Sequence, residues 1–149
     1  MPINKTLILK KLDFLTSQIS SIESMEFNQT EFIDDADIHD LVTFRLQQSV
    51  ETVIDIASHI IAESDLPRKE TAKDAILLIG QEGVIDKKLA QKLAAATDFR
   101  NRVVHGYNDF DYSLLFSDYK TNIDDLRDFA NQILKFLEKK SLKTILKSD

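Results

Sequence analysis

The chain contains no cysteine, and that absence removes disulfides, thiolate metal sites and thiol nucleophiles together. Glycine and proline are scarce, with 3 and 2 residues in 149. An all-β sandwich or barrel needs many turn residues, so this scarcity predicts a few long helices with short connections. Long hydrophobic runs are also missing. Lys5, Lys10, Lys11 and Asp13 interrupt the apolar stretches of the first twenty residues, and no apolar run approaches membrane-spanning length. These features predict a soluble, cytoplasmic protein without membrane association. The 3 histidines, His39, His59 and His105, are far apart and lack metal-ligand spacing, so neither a metal nor another cofactor is expected.

What is present fits one domain spanning 1–149. Hydrophobic residues make up 43% of the chain, enough for a single core, and 30% charged residues suit a well-solvated surface. The formal net charge is −6. A protein that binds nucleic acid through a broad phosphate-neutralising surface is usually basic, so any such contact here must use a local cationic cleft.

Apolar residues recur at alternating steps of four and three, the helical period. Ile8, Leu12, Leu15, Ile19 and Ile22 predict a helix over about 4–24. Residues 23–40 carry Glu23, Glu26, Glu31, Asp34, Asp35, Asp37 and Asp40 with no lysine or arginine. They read as a solvated connection, with room for a short helix but not for a core element. Leu46, Val50, Val53, Ala57 and Ile60 predict a long helix over about 40–64, stopped at Asp65-Leu66-Pro67 because proline disfavours helical geometry in the residue before it. A shorter helix is expected over about 69–81, followed by Gly83. Asp86 is a candidate N-cap for the next helix, whose buried face is Leu89, Leu93, Ala96, Phe99 and Val103 and whose natural stop is Gly106. After a turn at 109–111, Tyr119, Ile123, Leu126, Ala130, Ile133 and Leu137 define the last long helix. The expected fold is therefore all-α: an antiparallel bundle of about four long helices plus one short helix, with a core over about 4–138 and a Lys-rich tail over 139–149.

The chemistry concentrates in Arg100-Asn101-Arg102-Val103-Val104-His105-Gly106-Tyr107, which gathers two guanidinium groups, an imidazole, an amide and a phenol around one helix end. Cleaving an RNA phosphodiester without a metal needs a base for the 2′-hydroxyl proton, an acid for the leaving 5′-oxygen and a cation for the phosphorane charge. Histidine titrates near neutrality and serves as acid or base. Arginine offers a rigid fork of donors matched to phosphate oxygens. Arg100 and His105 stand five positions apart, about 140° around an ideal helix, so one copy makes a poor complete site. A two-fold homodimer would place two copies of the segment around one cleft and concentrate Arg100 and Arg102 from both chains within an acidic protein.

This segment resembles the signature of the HEPN superfamily: an arginine, four to six residues beginning with a polar one, then a histidine. Arg100, Asn101 and His105 match it, and Tyr107 resembles the further tyrosine of the HepT branch, the toxin half of HepT/MntA toxin–antitoxin pairs. The stretch from Arg45 through Asp55 to His59 is also similar to the long second helix of that branch, and the likeness covers about 40–137. The resemblance implies a type VII-like toxin: a metal-independent endoribonuclease that works as a homodimer. Arg100 and His105 would be its catalytic pair and Asn101 the polar residue that shapes the site. Tyr107 would be the hydroxyl that a nucleotidyltransferase antitoxin of the MntA type modifies with AMP, which adds bulk and negative charge in the cleft.

Blander roles compete for each residue. Arg102 divides evenly between phosphate contact and structural pairing. His105 could cap a helix end, and Tyr107 could pack its ring there. Arg45 and Asp55 are candidates to orient Arg100 or stabilise the dimer, with ordinary intramolecular pairing the simpler role. His59 is expected to be a buried or partner-bonded histidine beside the core stripe, and His39 has no partner in view. Lys139, Lys140, Lys143 and Lys147 could touch RNA phosphates, although such runs are usually solvated. The alternative to a nuclease is a non-catalytic helical acceptor subunit for a nucleotidyltransferase, which the acidic charge favours.

Overall fold

A computed structural model describes residues 3–104 and 110–147, and among these it contains six helices and no strand. They are α1 (Lys5–Glu23), α2 (Gln29–Asp34), α3 (Ala36–Glu63), α4 (Ala72–Gln81), α5 (Lys87–Val104) and α6 (Tyr112–Lys147). The four long helices answer the expected bundle. The shorter α2 is an addition to it, and α6 runs on through Lys147 where the sequence suggests a tail after 138.

Each start has a local cause. The Asn4 side chain accepts from Leu7 N–H at 3.1 Å, while Asn4 N–H donates to Glu63 Oε2 at 2.8 Å and ties the start of α1 to the end of α3. Asn28 and Glu31 form a reciprocal capping box on α2. Asp35 caps α3 and so starts it four residues before the apolar stripe would place it. Thr71 caps α4. The end of α3 depends on more than Pro67. Asp65 adopts φ 56°, a left-handed conformation that aspartate tolerates, and Leu66 N–H reaches back to the Ile61 carbonyl at 3.1 Å.

Helix α3 forms the spine. It packs against α1, α4, α5, α6 and α2, while α6 closes the bundle against α1, α2 and α5. The fully buried side chains include Ile8, Leu15 and Ile19 of α1, Leu46, Ile56 and Ile60 of α3, Ile76 and Ile79 of α4, and Phe129 and Ile133 of α6. Helices α4 and α5 approach closely at Gly80: a Cβ there would lie 2.4 Å from Ala90 Cβ. Gly83 follows α4 at φ +79°, the left-handed position that favours glycine. At the far end, Arg127 of α6 grips Glu23 with two hydrogen bonds of 3.0 and 2.6 Å. That bond, reinforced by the guanidinium charge, holds the Glu23 carboxyl below its ordinary range.

The acidic segment needs a correction. Its carboxylates are exposed, as expected of a solvated face, but it also supplies Phe32, which is 0% exposed and belongs to the core. Phe32 anchors an aromatic cluster with Phe27, Phe116, Tyr119 and Tyr112, with ring centroids between 5.3 and 6.3 Å. The charges around Phe32 hide its role. One buried ring in a six-residue helix offers no period to read.

Candidate functional site

The site is built on the last turns of α5, and that helix is fixed at its other end by Asp86. Asp86 Oδ1 accepts from Leu89 N–H at 2.7 Å, and Gln132 of α6 donates to Oδ2 at 2.8 Å and accepts from Asp86 N–H at 2.7 Å. The Leu89 amide, then Gln132, lower the Asp86 pKa. This is the N-cap expected from the sequence, locked to a second helix.

Arg100 projects from α5 onto α3. Its Nε lies 3.2 Å from Glu51 Oε1, and the side chain is 23% exposed. The contact is one of charge rather than an aligned hydrogen bond, since the buried Nε–H has no hydrogen-bond acceptor. Glu51 therefore meets the guanidinium along its Nε edge, which leaves the terminal amines as the fork for an anion. Asn101 and Arg102 are exposed on the same helix end. His105 and Tyr107, with Gly106 between them, lie outside the described residues.

Arg45 and Asp55 do not contact Arg100. Arg45 Nη1 donates to Gln18 Oε1 of α1 at 3.1 Å, with its Nε buried and without an acceptor. Asp55 pairs with Lys11 of α1 and stands 3.7 Å from His59 Nε2. Both residues thus join α3 to α1 or to its own next turn, and Glu51 takes the place beside Arg100. The spacing could have suggested Glu51, because Arg45, Glu51 and Asp55 are the charged residues between Leu41 and Ala62. Only the packing of α5 shows which of them meets the arginine.

An aromatic chain links α5 to the start of α6 and to α3. Phe99 of α5 meets Phe110 edge to face at 5.7 Å, Phe110 tilts against Tyr112 at 5.1 Å, and Tyr112 stacks on His39 at 3.8 Å. His39 has a partner after all: its Nδ1 lies 2.9 Å from the Phe32 carbonyl, which makes Nδ1 the donor. The Tyr112 hydroxyl donates to Asp40 Oδ1 at 3.5 Å. Burial, then the Asp40 charge, push the Tyr112 phenol above its ordinary pKa. Sequence periodicity misses this cluster because it joins residues 39, 99, 110 and 112, which share no helix face.

A cavity of about 210 Å³ opens between α3, α5 and α6, with Leu46, Leu93, Phe99 and Leu126 in its wall and Arg102 and Phe110 at its border. Among the described residues no group of three or more His, Asp or Glu side chains gathers as a metal site, and no helix is long and apolar enough to cross a membrane.

Comparison with known proteins places these features in context. A family model described as "Ribonuclease HepT-like" matches residues 15–133. The chain is 25% identical over 127 residues to an mRNA nuclease HepT of Shewanella oneidensis, covering 85% of this chain and 96% of that one. It is 29% identical over 98 residues to a tRNA nuclease HepT of Aphanizomenon flos-aquae, covering 65% and 67%. Among solved structures, it is similar to the tri-AMPylated Shewanella oneidensis HEPN toxin in complex with an MNT antitoxin. That match has a TM-score of 0.80 at 25% identity and covers 86% of this chain and 96% of that chain.

Proposed function

This chain belongs to the ribonuclease HepT-like family, and from that premise we infer that it is the toxin of a toxin–antitoxin pair, a metal-independent endoribonuclease neutralised by a nucleotidyltransferase. The observation that carries the reading is the Arg100–Glu51 contact at 3.2 Å. It sets a half-buried guanidinium near the end of α5, five positions before His105, in a chain matched by that family over 15–133.

The chemistry follows from those groups. Arg100 holds the non-bridging phosphate oxygens and stabilises charge as the phosphorane forms. His105 takes the 2′-hydroxyl proton, and an imidazole delivers a proton to the departing 5′-oxygen. A homodimer supplies the second imidazole and raises the local positive charge with the partner's Arg100 and Arg102. Asn101 shapes the cleft. Adenylation of Tyr107 by the antitoxin would put a phosphate beside these arginines and oppose RNA entry by charge and bulk. Single-domain organisation and action in the cytoplasm belong to the same reading.

The net charge of −6 favours a second reading, in which the chain is a non-catalytic acceptor for the nucleotidyltransferase. The two part in one experiment. Purified chain, shown unmodified by mass measurement, is incubated with RNA in excess chelator. Cleavage is the result expected of the toxin. Intact RNA supports the acceptor.

A further inference from the structure

The residues flanking 105–109 build a second feature that the cleavage chemistry does not use. Asp40, Thr43, Phe44 and Gln47 of α3 face Arg102 of α5 and Tyr112 of α6 across a cavity of about 300 Å³. Val103 and Phe110, on either side of the motif segment, also line it. Arg102 and Val103 place the cavity at the same end of α5 as Arg100. Its volume is at the small end for ligand pockets, suited to a single ring system.

Its chemistry is that of a nucleotide cradle. The Phe44 side chain is 53% exposed, an apolar ring that lines the cavity and is left partly in water. Arg102 is exposed and makes no ion pair among the described residues, so its guanidinium is free for a phosphate. The Tyr112 hydroxyl and His39 Nε2 both approach Asp40 at Oδ1, each at 3.5 Å. Oδ2 keeps no partner among the described residues. The stack of Tyr112 on His39 fixes this arrangement, and the raised pKa of the phenol keeps it a donor to Oδ1 at neutral pH. The Thr43 hydroxyl is buried and has no hydrogen-bond partner, so the cavity floor holds an unspent polar group.

We propose that this cavity is a nucleobase subsite of the RNA strand, next to the scissile phosphate, and that it selects guanine. The proposal rests on the ribonuclease reading. The base stacks on Phe44 while Arg102 holds its phosphate. Guanine carries two adjacent donors, N1–H and N2–H₂, which converge on the Asp40 carboxylate, and the Gln47 amide donates to O6. Adenine and cytosine set a ring-nitrogen acceptor beside their amine, which the carboxylate repels. Uracil has one donor between two carbonyls. Guanine alone satisfies the wall without a repulsive contact.

The test titrates guanosine, inosine, adenosine, cytidine and uridine 5′-monophosphates into the full-length chain and its variants. The guanine nucleotide should bind about tenfold or more tightly than the adenine, cytosine and uracil ones, with the inosine nucleotide, which lacks N2–H₂, in between. Phe44→Ala should weaken binding of the guanine nucleotide by about tenfold, and Asp40→Asn should abolish the preference. Equal binding of all five nucleotides overturns the proposal, as does guanine binding that neither variant changes. Mass measurement of Phe44→Ala adds a check: a changed oligomeric state with unchanged nucleotide affinity assigns the ring to a contact between copies and overturns it too. Cleavage is scored separately. A chain that binds guanine selectively yet leaves RNA intact loses the nuclease reading and keeps the guanine pocket. A chain that cuts equally beside all four bases keeps the nuclease and loses the subsite.

Discussion

Glu51 is the residue whose role the sequence alone conceals. Its carboxylate is 40% exposed, and its one ion-pair contact among the described residues is Arg100. An exposed pair of this kind contributes little to stability, roughly 0–1 kcal/mol. Its consequence is positional, because the carboxylate charge beside Nε holds the guanidinium against α3. Glu51→Gln should therefore lower kcat for RNA cleavage by about ten- to a hundredfold with little change in KM or in melting temperature. A variant that loses stability and keeps kcat would make the contact structural. Arg100, Asn101 and His105 were legible as a local pattern because chemistry and chain order coincide there. Glu51 and the His39–Tyr112 stack were not, because pairing across helices depends on rotation and offset that no single stripe encodes.

Among the elements, α1, α3, α5 and α6 follow directly from apolar periodicity and from caps such as Asp86. The helix α2 does not, since its capping box is local but its anchor, Phe32, is buried by contacts from distant segments. The contact between α4 and α5 is equally hidden. Gly80 sits inside a helix, where alanine would ordinarily be preferred by about 1 kcal/mol. Its missing Cβ is what admits Ala90, at 2.4 Å from where that atom would be. Backbone on both sides must separate to make room, and overpacking costs roughly 1–3 kcal/mol. Gly80→Ala should thus destabilise the chain by up to about 2 kcal/mol in denaturant unfolding, and Ala90→Gly in the same chain should recover part of the loss. A stabilised Gly80→Ala would show that the helices are not in close contact.

On the scale of the whole molecule, an acidic chain is asked to act on a polyanion. The fold offers a local answer: Arg100 and Arg102 share the end of α5, with Arg102 at the border of two cavities, while the acidic side chains of 23–37 are exposed and line neither cavity. Two copies brought together at that end would double the positive charge where RNA enters. Composition predicts the conflict and the motif predicts its location. The cavities beside the motif required the assembled helices.

The account stands on Arg100 and His105 acting together on one phosphate. The most direct measurement is single-turnover cleavage of end-labelled RNA in chelator by unmodified wild-type chain, Arg100→Ala and His105→Ala, each checked for native helix content and oligomeric mass. Both variants should fold as the wild type and lose about 10²–10⁴-fold in rate. Cleavage at the wild-type rate by either folded variant would contradict the account.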